Sequence, residues 1–299
     1  MYNEYYGLVR SPFEMTPDPA FLFLGEAHRE GLAMLEYGVT SGKGFVLLTG
    51  EVGTGKTTLL HALLGRLDSQ TRCAFIFNPR LEPLDFFQVL FEELGLESKP
   101  RTKAEYLLDL NQFLIGRLEE NQRVLLIVDE SQNLSPELLE EIRLLSNLET
   151  PRSKLIQIML VGQPELKQML TRPDLRQLRQ RIALRHHLRP FNEDEVAEYV
   201  EGRLQKAGYT GRRLFKRAAI REIYRITGGT PRMINSVCDS ALLLGYSRDK
   251  STIDAGTIRE VGVDLELVDA NTGVAANGSS EPDGASGGRR KRRLLGFLR

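Results

Sequence analysis

The feature that most constrains this chain is the segment Gly50-Glu51-Val52-Gly53-Thr54-Gly55-Lys56-Thr57, which fits the pattern GxxxxGK[ST] in full. An apolar stretch at 44–50 precedes it, and a helical pattern follows at 56–67. Glycines let the backbone curl so that successive N–H groups point at one anion, and the following helix adds its positive end. This order predicts a phosphate-binding P-loop that includes Thr58. Lys56 is expected to reach the terminal phosphates, and the Thr57 hydroxyl to hold Mg²⁺.

Strand and helix patterns alternate around that loop. Apolar strands are predicted at 44–50, 73–78, 123–129, 155–161 and 182–188. Such strands, separated by helices, are typical of a parallel sheet covered on both faces. Helical patterns alone follow, at 192–207, 214–226, 231–245 and 254–263. The sequence therefore predicts an α/β P-loop NTPase core with a five-stranded parallel sheet flanked by helices, followed by a C-terminal helical lid.

The sequence predicts four segments along the chain. Residues 26–190 form the α/β core, and residues 191–266 form the helical lid. Residues 1–25 are rich in aromatic residues and proline, and we expect an ordered arm packed on the core. Residues 267–299 have the composition of a disordered linker and end in a basic tail, RRKRRLLGFLR. Such a tail suits an anionic membrane surface, a partner protein, nucleic acid or plain solvation, and these alternatives stay open.

Composition limits the partners and the cellular compartment that we expect for this chain. The chain has 40 Lys and Arg residues against 40 Asp and Glu residues, so the whole molecule is not built to bind a polyanion. Its two cysteines, Cys73 and Cys238, show no metal-ligand spacing and favour a reducing compartment. The sequence shows neither a signal peptide nor an apolar run of the roughly 18 residues that a membrane span needs. We expect a cytoplasmic protein, with the tail allowing a peripheral position at the inner membrane.

Acidic and amide side chains follow two of the predicted strands. Asp129 and Glu130 come directly after the strand at 123–129. Asp129 is expected to hold Mg²⁺ through water, and Glu130 to act as the general base on the attacking water. A surface Asp-Glu turn is the alternative. Gln163 follows the next strand, where it would lie beside Asp129 and orient the water.

Two groups of arginines could contact phosphate. Arg181, with Arg176 and Arg179 behind it, precedes the fifth strand. An arginine there can neutralise transition-state charge in a neighbouring subunit, although a solvated helix face explains these residues equally well. Arg232 lies in the first turn of a helix, where its positive charge opposes the helix dipole. This placement predicts a lid arginine that touches the γ-phosphate.

Several longer segments carry a family resemblance: YYGL, SPFEMTPDP, GEVGTGKTT, LLIVDESQNLSPELLEEIRLLSNLE, LVGQPEL, LRQRI and GGTPRMIN. In these segments the chain resembles the AAA+ ATPases of the general secretion pathway protein A (ExeA-like) group over about residues 1–265. The resemblance implies an ATPase core with a lid, a homo-oligomer formed on ATP binding, and a role in envelope-related assembly. It also implies that the arm lines the adenine pocket, with Tyr6 and Phe13 as candidates.

Members of that group typically continue into a membrane span and a peptidoglycan-binding domain, and this sequence shows neither. A cytoplasmic relative that serves polysaccharide export or pilus systems is therefore an equal expectation. We expect an oligomeric cytoplasmic ATPase, using ATP and Mg²⁺, that supports assembly or regulation of an envelope secretion system. The alternatives are a DNA-handling AAA+ ATPase of the transposition or origin-loading type and a nucleotide-gated binding module. The lack of a recognisable DNA-binding domain before residue 270 argues against the first alternative, and Glu130 argues against the second.

Overall fold

One parallel sheet organises the part of the protein between residues 45 and 188. The computed structural model describes residues 1–16, 18–77, 80–97, 102–151 and 153–269. Within them the strands lie in the order β2-β3-β4-β1-β5 and all neighbouring pairs are parallel. The strands are β1 (Phe45–Gly50), β2 (Thr71–Ile76), β3 (Arg123–Val128), β4 (Gln157–Gly162) and β5 (Ile182–Leu188). The predicted five-stranded α/β architecture is confirmed.

Helices cover both faces of this sheet, because alternate strand residues point to opposite sides. On β1, Phe45 and Leu47 belong to one buried cluster, whereas Val46 and Leu48 belong to the other. The first cluster is covered by α4 (Pro83–Leu94), α5 (Lys103–Glu119), α6 (Pro136–Leu145), α7 (Pro164–Met169) and α8 (Arg176–Arg181). The second is covered by α2 (Glu26–Thr40) and α3 (Lys56–Leu64). The strands thus lie between two apolar layers, as their continuous apolar sequences require.

The edge strand β5 departs from its sequence pattern. Its alternation predicts Ile182, Leu184 and Leu188 on one face of the sheet. The structure instead shows a register shift in which Phe45 pairs with Ile182 but Val46 pairs with Leu184. An extra residue in a strand moves the following side chains to the other face. Ile182 therefore packs in the first cluster, and Leu184 and Leu188 pack in the second.

A separate helical part follows the sheet. It contains α9 (Glu193–Lys206), α10 (Arg217–Thr227), α11 (Pro231–Ser247) and α12 (Ala255–Asp264), which enclose their own apolar cluster. Val268 is buried in the same cluster, so packed structure continues past residue 266, where the sequence predicted a disordered linker. The basic tail lies outside the described residues. Among the residues that are described, no helix is long and apolar enough to cross a membrane.

The N-terminal arm (residues 1–25), which includes α1 (Tyr2–Tyr6), packs on this helical part. The sequence predicted that it packs on the α/β core, but its buried side chains, including Leu8 and Phe13, belong to the helical cluster. Backbone contacts hold it there: Val9 N donates to Ala207 O at 2.8 Å. Aromatic residues need a complementary apolar surface, and α9–α12 offer one, whereas both faces of the sheet are already covered.

Glu195 joins the helical part to the α/β part. Its Oε2 accepts a hydrogen bond from Asn192 N at 2.9 Å, which completes a capping box at the start of α9. Its Oε1 accepts a second hydrogen bond, at 2.6 Å, from Glu26 N at the start of α2. One carboxylate therefore caps two helices that belong to different parts of the molecule.

Candidate nucleotide-binding site

The predicted site residues meet where the strands end. The P-loop follows β1, Asp129 and Glu130 follow β3, and Gln163 follows β4. Since β3, β4 and β1 are parallel neighbours in that order, their carboxyl ends lie at the same edge of the sheet. Ligands of open α/β sheets bind at that edge. The order of the strands thus brings together segments that are far apart in the sequence.

A cavity of about 350 Å³ lies at this edge. The P-loop forms its floor with Val52, Gly53 and the residues from Gly55 to Thr58, and Glu130 and Gln163 form one side. The arm contributes Phe21 and Phe23, and the helical part contributes Arg203 and Arg232. The cavity is therefore enclosed by all three parts of the described chain.

Two glycines allow the loop to take its shape. Gly53 and Gly55 have φ values of 77° and 95°, in the left-handed region that favours glycine. A Cβ atom on Gly53 would lie 2.7 Å from the Cβ of Arg232, so the missing side chain also makes room for α11. Arg232 N donates to Gly53 O at 3.2 Å. The first turn of α11 thus rests directly on the phosphate-binding loop.

Lys56 lies inside the loop. Its Nζ donates to Gly50 O at 2.9 Å and to Glu51 O at 3.1 Å, and the residue is only 6% exposed. Burial lowers the pKa of Lys56, and the nearby carboxylates of Glu130 and Asp129 act in the opposite direction. The ammonium group is thus placed where several backbone N–H groups already favour an anion.

Thr57 and Asp129 form an oxygen-rich pair beside Lys56. Thr57 Oγ1 donates to Asp129 Oδ2 at 3.0 Å, and Glu130 N donates to Asp129 Oδ1 at 2.8 Å. Asp129 is 2% exposed, and burial raises the pKa of its carboxyl group despite these two hydrogen bonds. A hydroxyl and a carboxylate are the hard oxygen donors that Mg²⁺ prefers, and a cation would offset the cost of desolvating the carboxylate. The pair fits a magnesium ion.

Glu130 is held in an unusual conformation. Its φ of 53° and ψ of 36° are in the left-handed region, which few residues other than glycine adopt. Gln163 Nε2 donates to Glu130 Oε2 at 3.2 Å, and Gln132 Nε2 donates to the same oxygen. Gln163 therefore lies beside Glu130, one strand away, as the strand order requires. Gln132 was not predicted from the sequence, where its only signal is its place two residues after Glu130.

Some candidates lie elsewhere. Arg181 precedes β5 at the amino end of the sheet, away from the cavity of its own chain, and donates to Ser146 Oγ at 2.6 Å. Tyr6 and Phe13 are buried in the helical cluster and do not line the cavity, because Tyr6 Oη donates to Lys250 O and Phe13 packs edge-on against Phe215. The aromatic residues that the arm brings to the cavity come later in the chain, at Phe21 and Phe23.

His28 and Arg203 also line the cavity, although neither was predicted from the sequence. His28 is 3% exposed, its Nε2 lies 2.9 Å from Thr54 O of the P-loop, and burial lowers its pKa. Its spacing from Leu32 on α2 indicated a position on the buried face of that helix. Arg203 donates to Pro12 O of the arm at 2.5 Å and to Tyr199 Oη at 2.7 Å. These two residues support the cavity wall from the α/β part and the helical part.

The sequence has a close match among curated proteins. A family model described as an AAA domain matches residues 39–170. General secretion pathway protein A of Aeromonas hydrophila is 44% identical over 259 residues, which are 86% of this chain and 47% of that protein. The chain thus spans about half the length of the curated relative.

Solved structures share the fold at much lower identity. The ORC2 protein of Aeropyrum pernix, in ADPNP and ADP complexes, is 17% identical with a TM-score of 0.62, over 88% of this chain and 73% of that chain. A chain of the Drosophila ORC bound to DNA is 16% identical with a TM-score of 0.66, over 88% of this chain and 66% of that chain. A Walker-type ATPase of Pyrococcus abyssi is 18% identical with a TM-score of 0.62, over 86% of this chain and 76% of that chain.

The order of the strands, the P-loop and the identity to the Aeromonas protein all indicate the same fold and the same similarity. This chain has the fold of AAA+ P-loop ATPases, and over 86% of its length it is similar to general secretion pathway protein A.

Proposed function

We propose that this protein binds Mg-ATP at the carboxyl edge of its sheet and hydrolyses it to ADP and phosphate. The observation that carries the proposal is the convergence of Lys56, the Thr57–Asp129 pair and the Glu130–Gln163 pair from three neighbouring strands. An anion-binding loop, a buried carboxylate for the metal and a second carboxylate for proton transfer are the parts that phosphoryl transfer to water needs.

Each residue has a role in this reaction. Lys56 and the P-loop N–H groups bind the β- and γ-phosphates, and Arg232 approaches the γ-phosphate from α11. Thr57, and Asp129 through water, would hold Mg²⁺, which would supply positive charge to neutralise the phosphate oxygens. Glu130 accepts a proton from the water that attacks the γ-phosphorus, while the bond to the bridging oxygen breaks and ADP leaves. Gln163 orients that water.

The proposed division of the chain into a core and a lid rests on the contacts around this site. We propose that residues 26–190 form the catalytic core and that residues 191–266 act as its lid, with the arm carried on the lid. Arg232 N bonds to the P-loop, and Glu195 bonds to the start of α2, so the lid contacts the core at both sides of the cavity. Closure of such a lid excludes water and completes the site.

We further propose that the protein works as an oligomer that forms on ATP binding and supports assembly or regulation of an envelope secretion system. The name of the Aeromonas relative supports the secretion role. The basic tail favours a cytoplasmic protein that reaches the inner membrane or a partner protein. The likeness to ORC proteins shows the fold alone and does not favour DNA handling.

Substitution of Arg181 tests whether the protein is active as an oligomer. Its position outside the cavity of its own chain suits an arginine that acts on the ATP of a neighbour. We expect the rate per protomer to rise with protein concentration, and Arg181→Ala to lower kcat by about 10³-fold while ATP still binds. Steady-state rates between dilute and concentrated protein, with sizing in ATP, measure both effects. Arg172→Ala, in the same segment between β4 and β5, is the control. A rate that does not depend on concentration or on Arg181 would remove this arginine from the mechanism.

Mg²⁺ dependence tests the Thr57–Asp129 pair. Because Thr57 Oγ1 lies 3.0 Å from a buried carboxylate oxygen, Thr57→Ala removes one of the two oxygen donors. We expect the Mg²⁺ concentration for half-maximal turnover to rise about 10–100-fold, the range found when a group that supports a metal site is removed. Turnover measured across a Mg²⁺ titration gives this value. Thr58→Ala removes the neighbouring hydroxyl and should leave the requirement unchanged; equal shifts in both variants would contradict the assignment.

A further inference from the structure

The carboxylate of Glu130 is bound on one side only. The amides of Gln132 and Gln163 both donate to Oε2, whereas Oε1 accepts no hydrogen bond from any described residue. A carboxylate held in this way has one anchored oxygen and one oxygen available to a water molecule. The two amides therefore select which Glu130 oxygen can accept a proton.

Gln132 is itself anchored at its other end. Its Oε1 accepts a hydrogen bond from Gln163 N at 3.0 Å, so the side chain bridges the ends of β3 and β4. The amide of Gln132 thus has both its donor and its acceptor engaged between the two strands. The backbone of Gln163 at the end of β4 therefore helps to fix the position of the Gln132 amide beside Glu130.

Gly162 makes room for this bridge. A Cβ atom on Gly162 would lie 2.7 Å from Gln132 Oε1, 3.0 Å from Leu166 Cδ2 and 3.3 Å from Gln132 N. Any larger residue at the end of β4 would therefore displace the Gln132 side chain. The absence of a side chain on Gly162 therefore leaves space for Gln132.

The backbone of Glu130 has a left-handed conformation that needs support from neighbouring residues. A left-handed conformation directs the side chain differently from an extended one, and it persists only where surrounding contacts determine it. Glu130 N is bound by Asp129 Oδ1, and the carboxylate is bound by the two amides. The side chain is thus fixed at both ends, at the edge of the cavity.

We propose that Gln132 is a positioning residue for hydrolysis: its amide, braced against Gln163 N, holds Glu130 Oε2 and leaves Oε1 to take the proton of the attacking water. This inference rests on the proposed ATPase function and adds a residue to it. Gln163, which also touches Glu130, remains the candidate for orienting the water. Among the described residues, Gln132 donates to Glu130 and accepts from Gln163, and it does not line the cavity, so its effect should fall on turnover and spare ATP binding.

The experiment compares four variants by kcat, KM for ATP and melting temperature. Gln132→Leu removes the amide, Gly162→Ala displaces it, the double variant combines them, and Gln168→Leu changes an exposed glutamine on α7 as the control. We expect Gln132→Leu to lower kcat about 10–100-fold with KM within about twofold, because a misplaced catalytic group costs turnover. Gly162→Ala should reproduce that loss, and the double variant should lose no more than Gln132→Leu alone, since both act through one amide.

The outcomes separate the two proposals. If wild type turns over ATP and Gln132→Leu keeps or raises kcat, the inference is overturned and the proposed function stands. Losses that add in the double variant, or that follow the melting temperature, would show a structural role and also overturn it. If wild type shows no turnover that depends on Glu130, the proposed function fails and the inference fails with it.

Discussion

Glu130→Gln is expected to lower kcat by about 10²–10⁴-fold, the usual contribution of a general base, while ATP affinity stays within about twofold. Glutamine keeps the shape of the side chain and can still accept hydrogen bonds from Gln132 and Gln163, but it cannot take a proton from water. Lys56 and Thr57, which bind the phosphates and the metal in our proposal, are untouched. The loss should therefore appear in turnover alone, measured by phosphate release at saturating ATP together with equilibrium binding of a fluorescent ATP analogue.

A matched control is available on α7. Glu165 is an exposed glutamate near the same cavity whose charge also acts on Lys56. Glu165→Gln removes one negative charge without touching the attacking water, and we expect it to keep at least half of the wild-type kcat. Equal losses in the two variants would point to a general charge effect. A Glu130→Gln variant with wild-type turnover would exclude Glu130 as the base.

Gly229→Ala is expected to lower the free energy of unfolding by at least about 3 kcal/mol. Gly229 has a φ of 77°, and a Cβ atom there would lie 1.8 Å from Phe191 O. Phe191 N donates to Gly229 O at 3.0 Å, so the two backbones are tied together and cannot simply separate. The clash adds to the cost of about 1–2 kcal/mol for an L-residue in the left-handed region.

The preceding glycine provides the comparison. Gly228 also has a positive φ, 56°, but a Cβ atom there would meet nothing within 4 Å. Gly228→Ala should therefore cost only the backbone term of about 1–2 kcal/mol. Denaturant unfolding of both variants measures the difference. If both lose the same amount, the close contact between Phe191 and Gly229 does not exist in solution.

Much of the candidate site could be predicted because its residues end strands. An apolar strand followed by a P-loop, and another followed by two carboxylates, indicate one edge of one sheet even before the order of the strands is known. The strand after Asp129 and Glu130 is their sheet neighbour, which brings Gln163 to the same edge, where it contacts Glu130. These features depend on local sequence and on the geometry of parallel strands.

Other features could not be predicted because they depend on distant contacts. The aromatic residues of the arm carry no periodicity, and only the folded arrangement of α9–α12 shows which surface they cover. The register shift in β5 arises from its pairing with β1 and leaves no mark in an alternating sequence. Gln132 gains its role from Gly162 and Gln163, thirty residues further along the chain.

The attachment of the arm to the helical part has a consequence for synthesis. Tyr6 donates to the carbonyl oxygen of Lys250, a residue 244 positions later, so this contact forms only after the ribosome has made Lys250. At a translation rate of about 5–20 residues per second, that wait lasts roughly 12–50 s. During this interval the nascent chain exposes the aromatic residues of the arm, which makes chaperone contact and aggregation most probable there. The cavity wall that contains Phe21 and Phe23 closes only once the ribosome has delivered the helices on which the arm packs.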